Sequence, residues 1–182
     1  MASKNQATAT EKEEKPPVNS EDTPAPDYVP DVAAGEFNLD EEFKPTPLVP
    51  GGKYYGNVMK VTRDKEKQTI LWEVVLAENG GMCSDGETPV DGRRLFTRNY
   101  LPKPGDESEM TSDGSMNKRQ AKVNMTKKFA DDMKISMNSL AIIDRAIAES
   151  EWIGKPVIMD VTVREYEGRF SNDIKRMVAK EQ

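Results

Sequence analysis

Val157, Met159, Val161 and Val163 stand at alternate positions, and Ile70, Trp72, Val74 and Leu76 do the same earlier in the chain. Side chains alternate across an extended strand, so each run collects its apolar residues on one face. A helix would scatter them, because its faces repeat every ~3.6 residues. The chain is therefore committed to a sheet with at least one buried side.

The other elements order themselves around these runs. Gly51-Gly52 leads into a strand over 54–63, with Tyr55, Met59 and Val61 on one face and Tyr54 and Val58 on the other. Residues 63–68 read as a charged turn into the strand over 69–76. Asn79-Gly80-Gly81, Asp85-Gly86 and Asp91-Gly92 supply turn residues for a long connection. A third strand runs over 94–101 and is closed by Pro102 and Pro104. Residues 103–124 are polar and without period, which fits a flexible excursion or a loop ordered by a ligand. Helical spacing begins near Thr126, a candidate N-cap, with Phe129 and Met133 four apart. A second helix starts at Asn138 or Ser139 and places Leu140, Ile143 and Ile147 on one face. After Gly154-Lys155-Pro156 comes the fourth strand, which Glu167-Gly168 turns into a fifth over 170–178.

Charge divides the chain at the same place as pattern. Residues 1–47 carry four lysines against eleven acidic residues, a net −7, whereas residues 48–182 are near balance at +1. The first segment also holds seven prolines and few apolar residues. Ordering a residue costs about 1–2 kcal/mol of backbone entropy, which so little apolar surface cannot offset. Residues 1–47 therefore read as a disordered acidic, proline-rich tail, and 48–182 as one domain with 103–124 as its insert. No apolar run suits a signal peptide or a membrane span, and a single cysteine fits a reducing cytoplasm. With no histidine and one cysteine, the commonest general base and the usual zinc ligands are missing. No enzyme, cofactor or metal is expected, although acidic residues are plentiful and pairs such as Asp131-Asp132 read as the solvated side of a helix.

One strand suggests a chemical task. Read as extended chain, the third strand puts Arg94, Phe96, Arg98 and Tyr100 on one face: cation, ring, cation, ring. Guanidinium groups pair with phosphates, and flat rings stack on unpaired bases. The plain alternative turns Phe96 and Tyr100 into a core with the arginine stems covering its edge. Two loops offer the same chemistry: Arg63, Lys65 and Lys67 after the first strand, and Arg164, Tyr166, Arg169 and Phe170 around the last hairpin. Asp64 and Glu66 interleave the first set, so a solvated turn competes with a phosphate clamp there. Trp72 shares the stripe of Ile70 and Val74, reading first as core and second as a stacking ring. Phe170 could equally close the end of a barrel. Lys118, Arg119, Lys122, Lys127 and Lys128 form a basic run, a solvated face unless it extends a binding groove.

Three strands, a helical insert and a closing hairpin (β-β-β-α-β-β) is the order of the OB fold, a five-stranded barrel. Pro50-Gly51-Gly52-Lys53-Tyr54, Gly92-Arg93-Arg94-Leu95-Phe96, Gly154-Lys155-Pro156-Val157 and Tyr166-Glu167-Gly168-Arg169-Phe170-Ser171-Asn172-Asp173-Ile174 stand in matching order. In these pieces, over 48–178, the chain resembles the OB-type single-stranded DNA-binding proteins encoded by bacteriophages. The resemblance implies a non-enzymatic protein that coats single-stranded DNA during phage replication or recombination in the host cytoplasm, with replication or recombination proteins as partners. The acidic N-terminus and the polar insert depart from that pattern.

The tail supports two further expectations. Tethered anions compete with DNA for a cationic groove at high effective concentration. Alternatively Phe37, Leu39 and Phe43, set among acids, suit a short docking motif for a protein partner. On the competing reading the domain is a scaffold, the tail captures partners, and the Arg/aromatic face packs against another protein. Oligomeric state, a homo-oligomer included, is left open by the sequence.

Overall fold

The computed structural model describes residues 45–181. Its elements are β1 (Gly52–Asp64), β2 (Thr69–Leu76), β3 (Arg94–Tyr100), α1 (Lys118–Met133), α2 (Leu140–Ala148), β4 (Pro156–Tyr166) and β5 (Arg169–Ala179). All five strands join one antiparallel sheet in the order β3-β2-β1-β4-β5. Closure into a barrel, the expectation from the sequence, is not seen: β3 and β5 share no ladder and remain edges of an open sheet. The two edges nevertheless approach within 8 Å between Cα atoms, and α1 packs against both. A seam therefore runs between β3 and β5 with α1 beside it.

The alternating stripe of β2 forms the centre of the core, with Ile70, Trp72, Val74 and Leu76 all buried. Val157, Met159 and Val161 of β4 and Ile174 and Met177 of β5 pack into the same cluster. The Trp72 ring stacks on Trp152 at 5.1 Å and meets Phe129 of α1, tilted, also at 5.1 Å. The stripe of β4 ends sooner than its sequence pattern. Val163 is exposed, and every residue from there to Ser171 is exposed too. The β4–β5 hairpin thus projects as an arm, turned by Glu167 and Gly168, both at positive φ as a type I′ turn requires.

In β1 the parity of the sequence reading fails halfway. Val58 pairs with Val74 and Lys60 with Glu73, leaving Met59 as the extra residue of a bulge. Val61 consequently joins Val58 in the core, while Met59 is exposed. Gly56, just before the bulge, marks a close approach of neighbouring strands. An added Cβ there would lie 2.6 Å from the Val75 carbonyl oxygen and 2.9 Å from Met159 Cε. A backbone oxygen cannot step aside as a side-chain end can. Gly56→Ala is therefore expected to lower stability by about 1–3 kcal/mol, read as a shifted denaturant midpoint with unchanged slope. An unshifted midpoint would show that the β1–β2 spacing yields freely.

Helix α1 begins at Lys118 rather than near Thr126, capped by the Asn117 side chain, which accepts from the Gln120 N–H at 2.8 Å. Its first turns carry Lys118, Arg119, Gln120 and Lys122, so the apolar period that signals a helix is absent there. Two of those cations, Lys118 and Lys122, instead hold the preceding loop. Lys122 Nζ donates to Asp106 at 2.7 Å, and the Lys103 N–H donates to the same carboxylate at 2.8 Å. Asp106 is 1% exposed. The Lys122 hydrogen bond, then the Lys103 amide, keeps its carboxyl below the usual range. Lys118 pairs with Glu109. Residues 103–117 are thus a loop folded around its own carboxylates. Helix α2 starts after Ser139, whose hydroxyl accepts from the Ile142 N–H. At the other end of the domain, the Asn172 amide bonds both the N–H and the C=O of Val49.

Candidate nucleic-acid interface

On β3 the alternation runs as expected, and the side facing solvent is the Arg/aromatic one. Leu95 takes the core position while Arg94, Phe96, Arg98 and Tyr100 are exposed. Phe96 is 51% and Tyr100 52% exposed, so neither ring is used by the core. Arg94 Nη1 donates to Glu73 Oε1 across the ladder at 2.8 Å. Arg98 has no ion-pair partner among the described residues.

The hairpin arm sorts its four candidates by face. Residues directly opposite in an antiparallel ladder share a side of the sheet. Tyr166 lies opposite Arg169 and Arg164 opposite Ser171, whereas Phe170 lies opposite Glu165. Arg164, Tyr166 and Arg169 therefore occupy one side and Phe170 the other. Tyr166 is 73% exposed, more than any other large apolar or aromatic side chain of the described residues. The Arg164 guanidinium is held by Asp173 at 2.8 Å, on that same side.

The first loop divides differently. Arg63 is only 6% exposed in its side chain and binds Asp144 at 2.6 Å and Gln68 at 3.1 Å. That hydrogen bond is the first cause of the lowered Asp144 carboxyl pKa. Arg63 is thus a strut between β1 and α2, not a phosphate clamp, and its Nε has no acceptor at all. Lys65 and Lys67 remain exposed, with carboxylates no nearer than 3.8 and 3.6 Å. Trp72 is 0% exposed and cannot stack on a base. Arg63 and Trp72 therefore leave the candidate set. Phe37, Leu39 and Phe43 lie outside the described residues.

The remaining segments meet at the seam. A cleft of about 970 Å³ opens between β3, α1 and the β4–β5 pair, lined by Phe96, Arg98 and Tyr100 on one wall and Arg164 and Asp173 on the other. Lys128 of α1 and Lys175 and Arg176 of β5 also line it. Arg176 grips Asp132 of α1 with two hydrogen bonds, 2.7 and 3.1 Å. That pairing lowers the Asp132 carboxyl pKa first of all, and the charge of Lys128 lowers it further. Sequence reasoning passed over Lys175 and Arg176 because each is an ordinary polar position in an edge strand. The basic run of α1 also divides. Lys118 and Lys122 hold the loop, Arg119 and Lys127 line a separate cavity of about 550 Å³, and Lys128 alone reaches the cleft.

Chemistry elsewhere is sparse. Cys83 is buried, and burial pushes its thiol pKa up. Among the described residues no cluster of cysteine or carboxylate side chains is placed to hold a metal ion, and no helix is long and apolar enough to cross a membrane. Compared with protein-family models and with curated proteins, the chain matches none.

Proposed function

We propose that this chain is an OB-type, non-enzymatic single-stranded DNA-binding protein that coats single strands with little sequence preference. The observation that carries the reading is the exposed row Phe96, Arg98, Tyr100 on an edge strand, facing a cleft that Lys128 and Lys175 also line, at the base of the Arg164–Tyr166–Arg169 arm. Backbone phosphates need cations and unpaired bases need rings, and both stand here with no structural duty. The strand order β3-β2-β1-β4-β5, with its edges close and the helices between β3 and β4, supports the OB assignment as a barrel one ladder short of closure. The resemblance of the 48–178 pieces to phage single-strand binders supports a role in phage replication or recombination.

Spacing favours a single strand over a duplex. Phe96 and Tyr100 are four residues apart, about 13 Å along a strand at ~3.3 Å per residue. Stacked nucleotides advance only ~3.4 Å each. The two rings therefore engage bases that are not neighbours, and a ring can stack only on a base whose face is free, as in an unpaired strand. The near-balanced charge of the domain shifts affinity from counterion release toward stacking, while local charge at the cleft steers the strand. The net −7 of residues 1–47 places competing anions in the same chain, and Phe37, Leu39 and Phe43 among them suit capture of a replication or recombination protein.

The test is anisotropy of labelled oligo-dT titrated with the full chain at 50 and 200 mM salt, with a duplex of equal length as competitor. Four phosphate contacts predict a loss of about 50-fold in affinity between the two salts, and the duplex should fail to displace the oligonucleotide. Absence of binding at 50 mM, by the full chain and by the chain without residues 2–44, would overturn the reading.

A further inference from the structure

We propose that the seam cleft between β3, α1 and β5 carries the sugar-phosphate backbone of the bound strand, with Arg98, Lys128 and Lys175 among its phosphate contacts. This rests on the single-strand reading above and adds the path of the strand. Five cations and two carboxylates line the cleft. Both carboxylates are already engaged, Asp132 by Arg176 and Asp173 by Arg164. Those pairs orient two guanidinium groups and cancel their charge. Arg98, Lys128 and Lys175 are exposed and have no ion-pair partner among the described residues.

Three cations without ion-pair partners, from three elements, converge on one cleft, which a solvated helix face does not do. Elsewhere among the described residues about half of the lysines and arginines are ion-paired, as in Arg63–Asp144, Lys122–Asp106, Arg145–Glu149 and Lys180–Glu78. A domain close to electrical balance thus places three cations without ion-pair partners at the seam.

The chemistry of the walls separates backbone from bases. Lysine is a point charge with no flat face, suited to phosphate and not to stacking. Phe129 lines the cleft but is packed against Trp72, so it offers no platform for a base. The accessible rings, Phe96 and Tyr100, belong to the β3 wall. A strand with its phosphates along the seam would therefore turn its bases out over β3 and the Tyr166 side of the arm.

The experiment compares salt dependence of oligo-dT binding in three full-length proteins: wild type, K128Q/K175Q, and K134Q/R145Q as a charge-matched control outside the cleft. Each single-strand phosphate contact contributes about −0.7 to the slope of log K against log salt. Wild type with four contacts should lose about 50-fold in affinity from 50 to 200 mM salt, and K128Q/K175Q only about 7-fold. The control should follow wild type. If K128Q/K175Q keeps the wild-type slope, or if the control falls as far, the cleft is not the backbone path while the single-strand reading stands. If wild type itself fails to bind at 50 mM, that reading falls and takes the path with it. All replaced side chains are exposed, and matching unfolding midpoints confirm that the comparison is between folded proteins.

Discussion

Replacing Phe96 and Tyr100 together by leucine should cost about 2–6 kcal/mol of oligo-dT affinity, on the order of 30-fold at the lower end, taking about 1–3 kcal/mol per stacked base. Leucine keeps the apolar bulk of a strand position but removes the flat face, so the substitution tests stacking and not hydrophobicity. Both rings are half exposed, and surface replacements of this kind usually move stability by less than about 0.5 kcal/mol. No charge changes, so the salt slope should stay where it is while the whole affinity curve drops. That pairing separates a lost ring from a lost phosphate contact. The hairpin arm supplies an internal comparison. Tyr166→Leu should weaken binding in the same manner, whereas Phe170→Leu should not, because Phe170 lies opposite Glu165 on the far side of the arm. A loss below about threefold in the Phe96/Tyr100 double variant would mean that the rings meet no bases. The face would then be a surface for a protein, and the acidic segment would become the working part of the chain.

How much of this was legible in the sequence depends on whether a feature is set locally. Strand β2 occupies the stretch that its apolar alternation marks, and Glu167-Gly168 makes the turn that it spells. The β3 row was legible for the same reason, since alternation places four side chains on one face before any partner strand is known. What could not be read depends on pairing. The bulge at Met59 moves Val61 into the core only because β2 continues its own register past it. Arg63 and Lys65 look alike in sequence, yet one meets Asp144 in a buried corner while the other stays in solvent. The start of α1 was missed because its first turns hold Asp106 and Glu109 with cations instead of burying an apolar stripe. Lys175 and Arg176 gain their place only when the two edges of an open sheet approach, a contact between strands some seventy residues apart.

Trp72→Ala should do the opposite of the ring substitutions on β3, removing stability and sparing the interface. The ring is 0% exposed and lies between Trp152 and Phe129, each with its centroid 5.1 Å away. Cutting a core tryptophan to alanine costs about 3–5 kcal/mol, a large share of the ~5–15 kcal/mol that holds a domain together. So large a loss leaves little folded protein to titrate, and Trp72→Phe carries the sharper comparison. Phenylalanine retains most of the aromatic contact and removes an indole N–H that has no acceptor in the core. The volume lost and the orphan donor removed oppose one another, and the midpoint should fall by less than for alanine. Oligo-dT affinity of the folded Trp72→Phe protein should stay within about twofold of wild type. A drop as deep as that of the Phe96/Tyr100 variant, without a loss of stability, would return Trp72 to the interface. Fluorescence offers a second reading of the same placement. The chain has two tryptophans, Trp72 and Trp152, and both are buried. DNA stacked on the β3 face would therefore quench tyrosine emission from Tyr100 and Tyr166 and leave tryptophan emission nearly unchanged. Strong tryptophan quenching on binding would require a base to reach the core, and with it a different path for the strand.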